Sequence, residues 1–146
     1  MSIQENKELV RRVIEEWNSM NGDIVKMRSI YDKYYAPDFI CHTSGGDMNW
    51  QQTIQENASS VSAFPGINYS IDDIIAEGDM TVARFTMQGN HKGTFMGIPA
   101  TGKLITVKGV EINKIIAGKI VETWDFLDTM GMLTQLGVIK GTTQAL

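Results

Sequence analysis

Cysteine is almost absent: the chain has one, Cys41, among 146 residues. That excludes an intramolecular disulfide and leaves the redox compartment open. Cys41 has no activating partner nearby in the sequence, so a buried, inert thiol is expected. Histidine is nearly as scarce, with two. His42 and His91 lie too far apart for a zinc signature, and no metal is expected. Neither sign of charge dominates, since 13 Lys+Arg face 17 Asp+Glu for a net −4. This balance, with a pI near 5.1, argues against nucleic acid or anionic membrane as partners. No apolar run approaches the ~20 residues of a membrane span. The start, "MSIQENKELV", has no signal core, so a cytoplasmic protein is expected. The glycines at 89, 93, 97 and 102 form no Walker or Rossmann phosphate loop.

What is present is a globular composition, 42% hydrophobic. A chain of this size buries about 68–70% of its unfolded surface and needs no staple. One domain, 1–146, is expected. Glu5 to Asn21 reads as a helix, because Leu9, Val10, Val13, Ile14, Trp17 and Met20 recur near the helical period. Gly22 breaks it, and Asp23 caps a second short helix through Ile30. Tyr34 to His42 is aromatic and extended, Thr43 to Asp47 reads as a loop, and Asn49 to Ala63 as a third helix. The texture then turns β-branched in Asn68 to Ala76, Met80 to Asn90, Leu104 to Ile116 and Lys119 to Leu127. Short links at Glu77–Asp79 and Ala117–Gly118 suggest antiparallel hairpins. Thr129 to Leu136 reads as a closing helix ended by Gly137.

Helices followed by a run of strands imply an α+β fold, with three N-terminal helices over a strongly curved antiparallel sheet, a cone with a pocket. On the last strand, Val121, Thr123, Asp125 and Leu127 share one face. A carboxylate there is costly to bury unless it has a partner or a task. Asp125 is therefore either a hydrogen-bonded structural acid or a general base whose pKa burial has raised. Glu111 falls on the matching face of the preceding strand, as a second pocket acid or as a solvated charge. His91 ends a strand at the expected cavity mouth, where it is a donor to a substrate oxygen, an orienting group for an acid, or simply structural. His42 ends another extended segment and carries the same choices. Trp17, Trp50, Phe95 and Met96 are candidates to line the pocket, or to pack the core. The opposite face carries Val110, Ile112, Trp124 and Phe126, an apolar surface that suggests a homodimer.

Two segments carry a family likeness: "AEGDMTVARFTMQGNHKGTFMGIPATGK" (Ala76 to Lys103) and "GKIVETWDFLDTMGMLTQLG" (Gly118 to Gly137). Their His-x-Gly-x-x-x-Gly-x-Pro loop and Trp-x-x-x-Asp…Gln-Leu-Gly ending resemble the SnoaL-like ester cyclases, of the ketosteroid-isomerase-like cone fold. The likeness runs over roughly Asn6 to Gly137. It implies a homodimer, a pocket in each cone, and no metal or organic cofactor. It further implies that Asp125 removes a proton alpha to a carbonyl and so starts an intramolecular aldol closure, with His91 as the family's loop histidine. The ligand would be a small hydrophobic carbonyl compound. Where the cyclases carry two strand histidines, this chain has Glu111 and Thr123. Cys41 replaces a cyclase asparagine, and the loop reads Pro99-Ala100-Thr101 in place of Pro-Pro-Thr. Hydrolysis or isomerisation in the same pocket, or a non-catalytic binding or dimerisation module, are the competing expectations.

Overall fold

In a computed structural model, described for residues 1–140, the chain opens with helix α1 (Ile3–Ser19). The Ser2 hydroxyl caps it by accepting from the Glu5 N–H at 3.0 Å, which satisfies one of the helix's orphan donors. Asn6, Leu9, Val10 and Val13 form its buried stripe. The chain reverses through Asn21 and Gly22, both at positive φ. A Cβ on Gly22 would meet Val61 Cγ1 at 2.9 Å, so glycine serves both the conformation and the close approach. Helix α2 (Ile24–Tyr34) is capped by Asp23, which accepts from the Val25 and Lys26 N–H groups. It runs past the expected end at Ile30 because Ile30, Tyr31 and Tyr34 continue one buried face.

Strand β1 (Tyr35–Thr43) follows directly. The segment expected as a plain loop is the turn of a hairpin, and its second arm is a short strand, β2 (Gly46–Asn49). Helix α3 (Trp50–Ala63) begins with a capping box in which Asn49 and Gln52 satisfy each other's backbone N–H. The remaining strands are β3 (Asn68–Glu77), β4 (Met80–Asn90), β5 (Leu104–Ile116) and β6 (Lys119–Leu127), before the short helix α4 (Thr129–Gln135).

Among the described residues the strands form one sheet in the order β2-β1-β6-β5-β4-β3. It is curved and mixed rather than wholly antiparallel, because β1 pairs with β6 in parallel. Tight turns force neighbouring strands antiparallel, whereas β1 and β6 are joined through α3 and four strands, a crossover long enough for parallel pairing. A second departure sits in β6. The β5–β6 register slips between Lys114 and Ile115, which takes Val121 out of the alternation. Ile120, expected on the outer face, is 1% exposed and belongs to the core. From Thr123 onward the expected alternation holds, and Thr123, Asp125 and Leu127 line the interior.

The helices cover the concave side, and the core runs from Leu9, Met27 and Phe39 through Phe64 to Ile105 and Val107. Gly109 allows a close approach: a Cβ there would lie 2.5 Å from Phe85 Cζ and 2.9 Å from the Phe126 carbonyl oxygen. The loop after β4 is clamped to the end of α3, where the Lys92 and Gly93 N–H groups both donate to the Ala63 carbonyl.

Candidate active site

Between helices and sheet lies a cavity of about 510 Å³. Its wall is aromatic: Trp17 from α1, Tyr31 from α2, Tyr35 and Phe39 from β1, Phe64 after α3, Tyr69 from β3 and Phe95 from the loop. Met96 lies at its rim, 66% exposed and at positive φ. Glu111 and Asp125 both reach the cavity and are direct partners across the β5–β6 ladder. Partners in such a ladder stand about 4.5–5.5 Å apart, so two carboxyl groups share one patch of low dielectric.

Their environments differ. Glu111 Oε1 accepts from Asn113 Nδ2 at 2.8 Å. Asp125 Oδ1 is buried and has no partner among the described residues. Burial raises both acids, and the Asn113 bond pulls Glu111 back down. For Asp125, burial and then the charge of Glu111 push the carboxyl up to about 7. An acid so placed exchanges its proton near neutral pH, which is the range a general base or acid requires.

The other titratable groups around the pair are held neutral. Burial, followed by the charges of Asp125 and Glu111, pushes the Cys41 thiol up to about 12. It stays protonated at neutral pH and is a poor nucleophile. Burial above all, with the charge of Glu111 among the lesser causes, raises the phenols of Tyr31, Tyr35 and Tyr69 above their ordinary value, so each remains an O–H donor. Tyr31 Oη accepts from Asn57 Nδ2 at 2.6 Å. Sequence reasoning missed Tyr35, Tyr69 and the Asn113 contact. Tyr69 was legible in principle, since it alternates with Ile71 on β3 and both line the cavity.

Trp17, Phe95, Met96, Glu111 and Asp125 are thus brought together, and three other candidates are not. His91 was expected at the cavity mouth but is absent from the wall. It is fully buried and stacked on Phe64, with 5.2 Å between ring centroids. The Thr101 N–H donates to its Nδ1 at 3.2 Å, which assigns the ring proton to Nε2. Nε2 has no partner among the described residues. With its backbone bonded to Gly102 and Lys103, His91 fastens the loop that carries Phe95. It leaves the cavity because the strand, and with it the alternation, ends at Asn90.

His42 lies on the opposite side of β1 from Cys41, which puts it on the outer face, away from a substrate. Its Nδ1 meets Asp47 Oδ1 at 2.7 Å and its Nε2 meets Glu122 Oε2 at 2.6 Å. It stacks on Trp124 at 5.2 Å. Two carboxylate acceptors are met by two ring N–H donors only in the imidazolium, so the arrangement favours that form. Glu122 first and Asp47 second raise its pKa. Trp50 starts α3 and packs edge-on against Tyr31 at 6.0 Å; it supports the wall from behind and does not form it. Among the described residues no group of three or more His, Cys, Asp or Glu is placed to hold a metal, and no helix is long and apolar enough to cross a membrane.

A cone of curved sheet and helices, closed around an aromatic cavity with a buried acid pair, defines a small-molecule pocket of the ketosteroid-isomerase-like fold. A protein of that fold from Catenulispora acidiphila superposes with a TM-score of 0.71 at 16% identity, over 90% of this chain and 94% of the other. The sequence profile of the SnoaL-like polyketide cyclases matches residues 7–136, and the chain belongs to that family, whose members are small-molecule enzymes of the cyclase type. It is 26% identical over 138 residues to the aklanonic acid methyl ester cyclase DnrD of Streptomyces peucetius, spanning 89% of each chain. AclR of Streptomyces galilaeus, for which a hydroxylase role has been suggested, superposes with a TM-score of 0.86 at 26% identity, over 97% of this chain and 86% of the other.

Proposed function

We propose that this protein closes a ring in an uncharged carbonyl compound by proton transfer through Asp125. The pairing of Asp125 with Glu111 inside an aromatic cavity carries this reading. The ionised Asp125 carboxylate takes a proton from the carbon alpha to a carbonyl, and the bonding pair moves onto the carbonyl oxygen as an enolate. The enolate carbon attacks a second carbonyl of the same molecule, and the new alkoxide regains the proton from Asp125. Nothing is gained or lost overall, so the step needs no cofactor. The neutral phenols of Tyr35 and Tyr69 in the wall are donors of the kind that hold an enolate, and such preorganised donors are often the largest catalytic contribution.

The wall's charge supports an uncharged ligand. Its charged side chains among the described residues are Asp47, Glu56, Glu111 and Asp125, with no Lys, Arg or His. A small hydrophobic ester or ketone fits this surface and a carboxylate does not. One observation favours the rival reading of a non-catalytic binding cone: Asp125 Oδ1 has no donor among the described residues to orient it. A proton-exchange experiment separates the two. Methyl 2-naphthylacetate in D2O should lose its alpha hydrogens to solvent faster with the protein than without it, and Asp125→Asn should abolish the difference. Binding without exchange would leave only the binding cone.

We further propose a homodimer across the outer sheet face. Phe126 is 53% exposed there, beside the half-buried Trp124, Val110 and Ile112, and such a face ordinarily marks an interface. Light scattering at about 50 μM, ample for an interface of standard size, should give twice the chain mass. Phe126→Glu should shift it to the monomer, and a monomeric wild type would rule the dimer out.

A further inference from the structure

Beyond Asp125, two buried polar side chains sit beside the acid pair. Asn113 is fully buried and Thr123 is 5% exposed. They are direct partners across β5–β6, one pair removed from Glu111 and Asp125 on the same face. Thr123 Oγ1 donates to Asn113 Oδ1 at 2.6 Å, and Asn113 Nδ2 donates to Glu111 Oε1 at 2.8 Å. The chain is directional: with its oxygen occupied by the hydroxyl, the amide must turn its NH₂ toward Glu111. An NH₂ donor stabilises the ionised carboxylate and offers nothing to a carboxylic proton. Asp125 Oδ1 has no such donor among the described residues.

We infer that Asn113 and Thr123 are positioning residues that hold the negative charge on Glu111 and so leave Asp125 as the member of the pair that takes up and returns the proton. The inference rests on the reading of Asp125 as the proton-transfer group. Two like charges in one low-dielectric patch ionise in two steps, and the group with the better donor ionises first. Once Glu111 is charged, its field makes Asp125 a stronger base. The titratable groups that line the cavity with the pair from other elements are, among the described residues, Tyr31 on α2, Tyr35 and Cys41 on β1, Asp47 on β2, Glu56 on α3 and Tyr69 on β3. The phenols and the thiol are neutral near pH 7 and none of these groups is a cation, so the field of Glu111 is not cancelled from nearby. The amide also has a second orientation. If the Thr123 hydroxyl is lost, Asn113 is free to present either its NH₂ or its oxygen to Glu111, and the division of roles weakens.

The test reads protonation and needs no substrate, so its failure is distinct from a failure of the proton-exchange assay. The midpoint of Asp125 is followed by 13C NMR of side-chain-labelled aspartate, with its signal assigned by loss in Asp125→Asn. Wild type should titrate near 7. Asn113→Leu keeps the volume and removes the donor. Glu111 then holds the proton, and the Asp125 midpoint should fall by about 1 pH unit or more. Glu111→Gln should do the same. Thr123→Val should give a smaller fall in the same direction, and Thr123→Ser should restore the wild-type midpoint. A purely structural role would lower the melting temperature of Asn113→Leu and Thr123→Val and leave the midpoint alone. Midpoints within about 0.3 unit of wild type in Thr123→Val and Glu111→Gln would overturn the inference, whether or not Asn113→Leu folds.

Discussion

Asp125→Asn will reduce turnover of a ring-closing substrate at least about 10²-fold, the usual contribution of a general base, and will raise stability above pH 7. The amide is nearly isosteric, so ligand binding should change little while the step that needs a proton acceptor is lost. The stability effect follows from linkage. Asp125 titrates at about 7 in the folded protein against 3.8 for an ordinary aspartate. The folded state therefore binds this proton more tightly than the unfolded chain. Its contribution to stability is fully present below about pH 4 and is lost as pH rises through 7. Glu111, also raised, acts in the same direction. Above pH 7 the asparagine relieves a penalty on the order of a few kcal/mol. Melting temperatures of the two proteins should agree near pH 4 and diverge by pH 8, with the variant higher. A variant that melts lower at pH 8 would mean that Asp125 serves the fold through bonds to its neighbours, and would end its case as a base.

The cavity should bind methyl 2-naphthylacetate more tightly than the free acid, by about 10- to 100-fold at pH 8. The two ligands share an aromatic body and differ by one charge. A ligand carboxylate some 6 Å from an ionised Glu111 or Asp125 meets a repulsion of about 1–3 kcal/mol at the dielectric typical of such sites. No cationic side chain among the described wall residues offsets it. Lowering the pH to 5 protonates Asp125 while the ligand acid stays ionised, so the preference should shrink. Quenching of tryptophan fluorescence gives both affinities, since Trp17 lines the cavity. Equal affinities at pH 8 would show that the acids do not face the ligand.

The fates of the four strongest sequence candidates show what periodicity can carry. Asp125 and Glu111 were legible because each sits inside a long strand, where the side-chain period of two fixes the face. Their exact pairing was not: the two-residue turn alone would set Glu111 opposite Trp124, and the bulge at Val121 shifts the register by one to bring it opposite Asp125. His91 lies one residue beyond its strand, and the rule that assigned it to the cavity stops at Asn90. His42 lies within β1, yet an extended segment read alone has two faces and no label for the inner one. The label came from the parallel neighbour β6, which sets Cys41 beside Thr123 and His42 beside Trp124.

The sequence by itself determined the α+β class, the helices and main strands, the family, and the acid on the inner face of the last strand. These depend on local periodicity, capping residues and turn chemistry, which a chain carries in its order of residues. Only the tertiary structure decided that β1 joins β6 in parallel, that a bulge removes Val121 from the alternation, and that His42 and Trp50 face away from the cavity. It alone brought Trp17, Tyr35 and Tyr69 from three separate elements around one pair of acids. Long-range pairing and the closing of a cavity depend on which surfaces cover each other, and the free energy of burying a group belongs to that arrangement. The same holds for protonation: the carboxyl group of Asp125 is written in the sequence, but its midpoint of about 7 exists only where the fold removes water and sets Glu111 beside it.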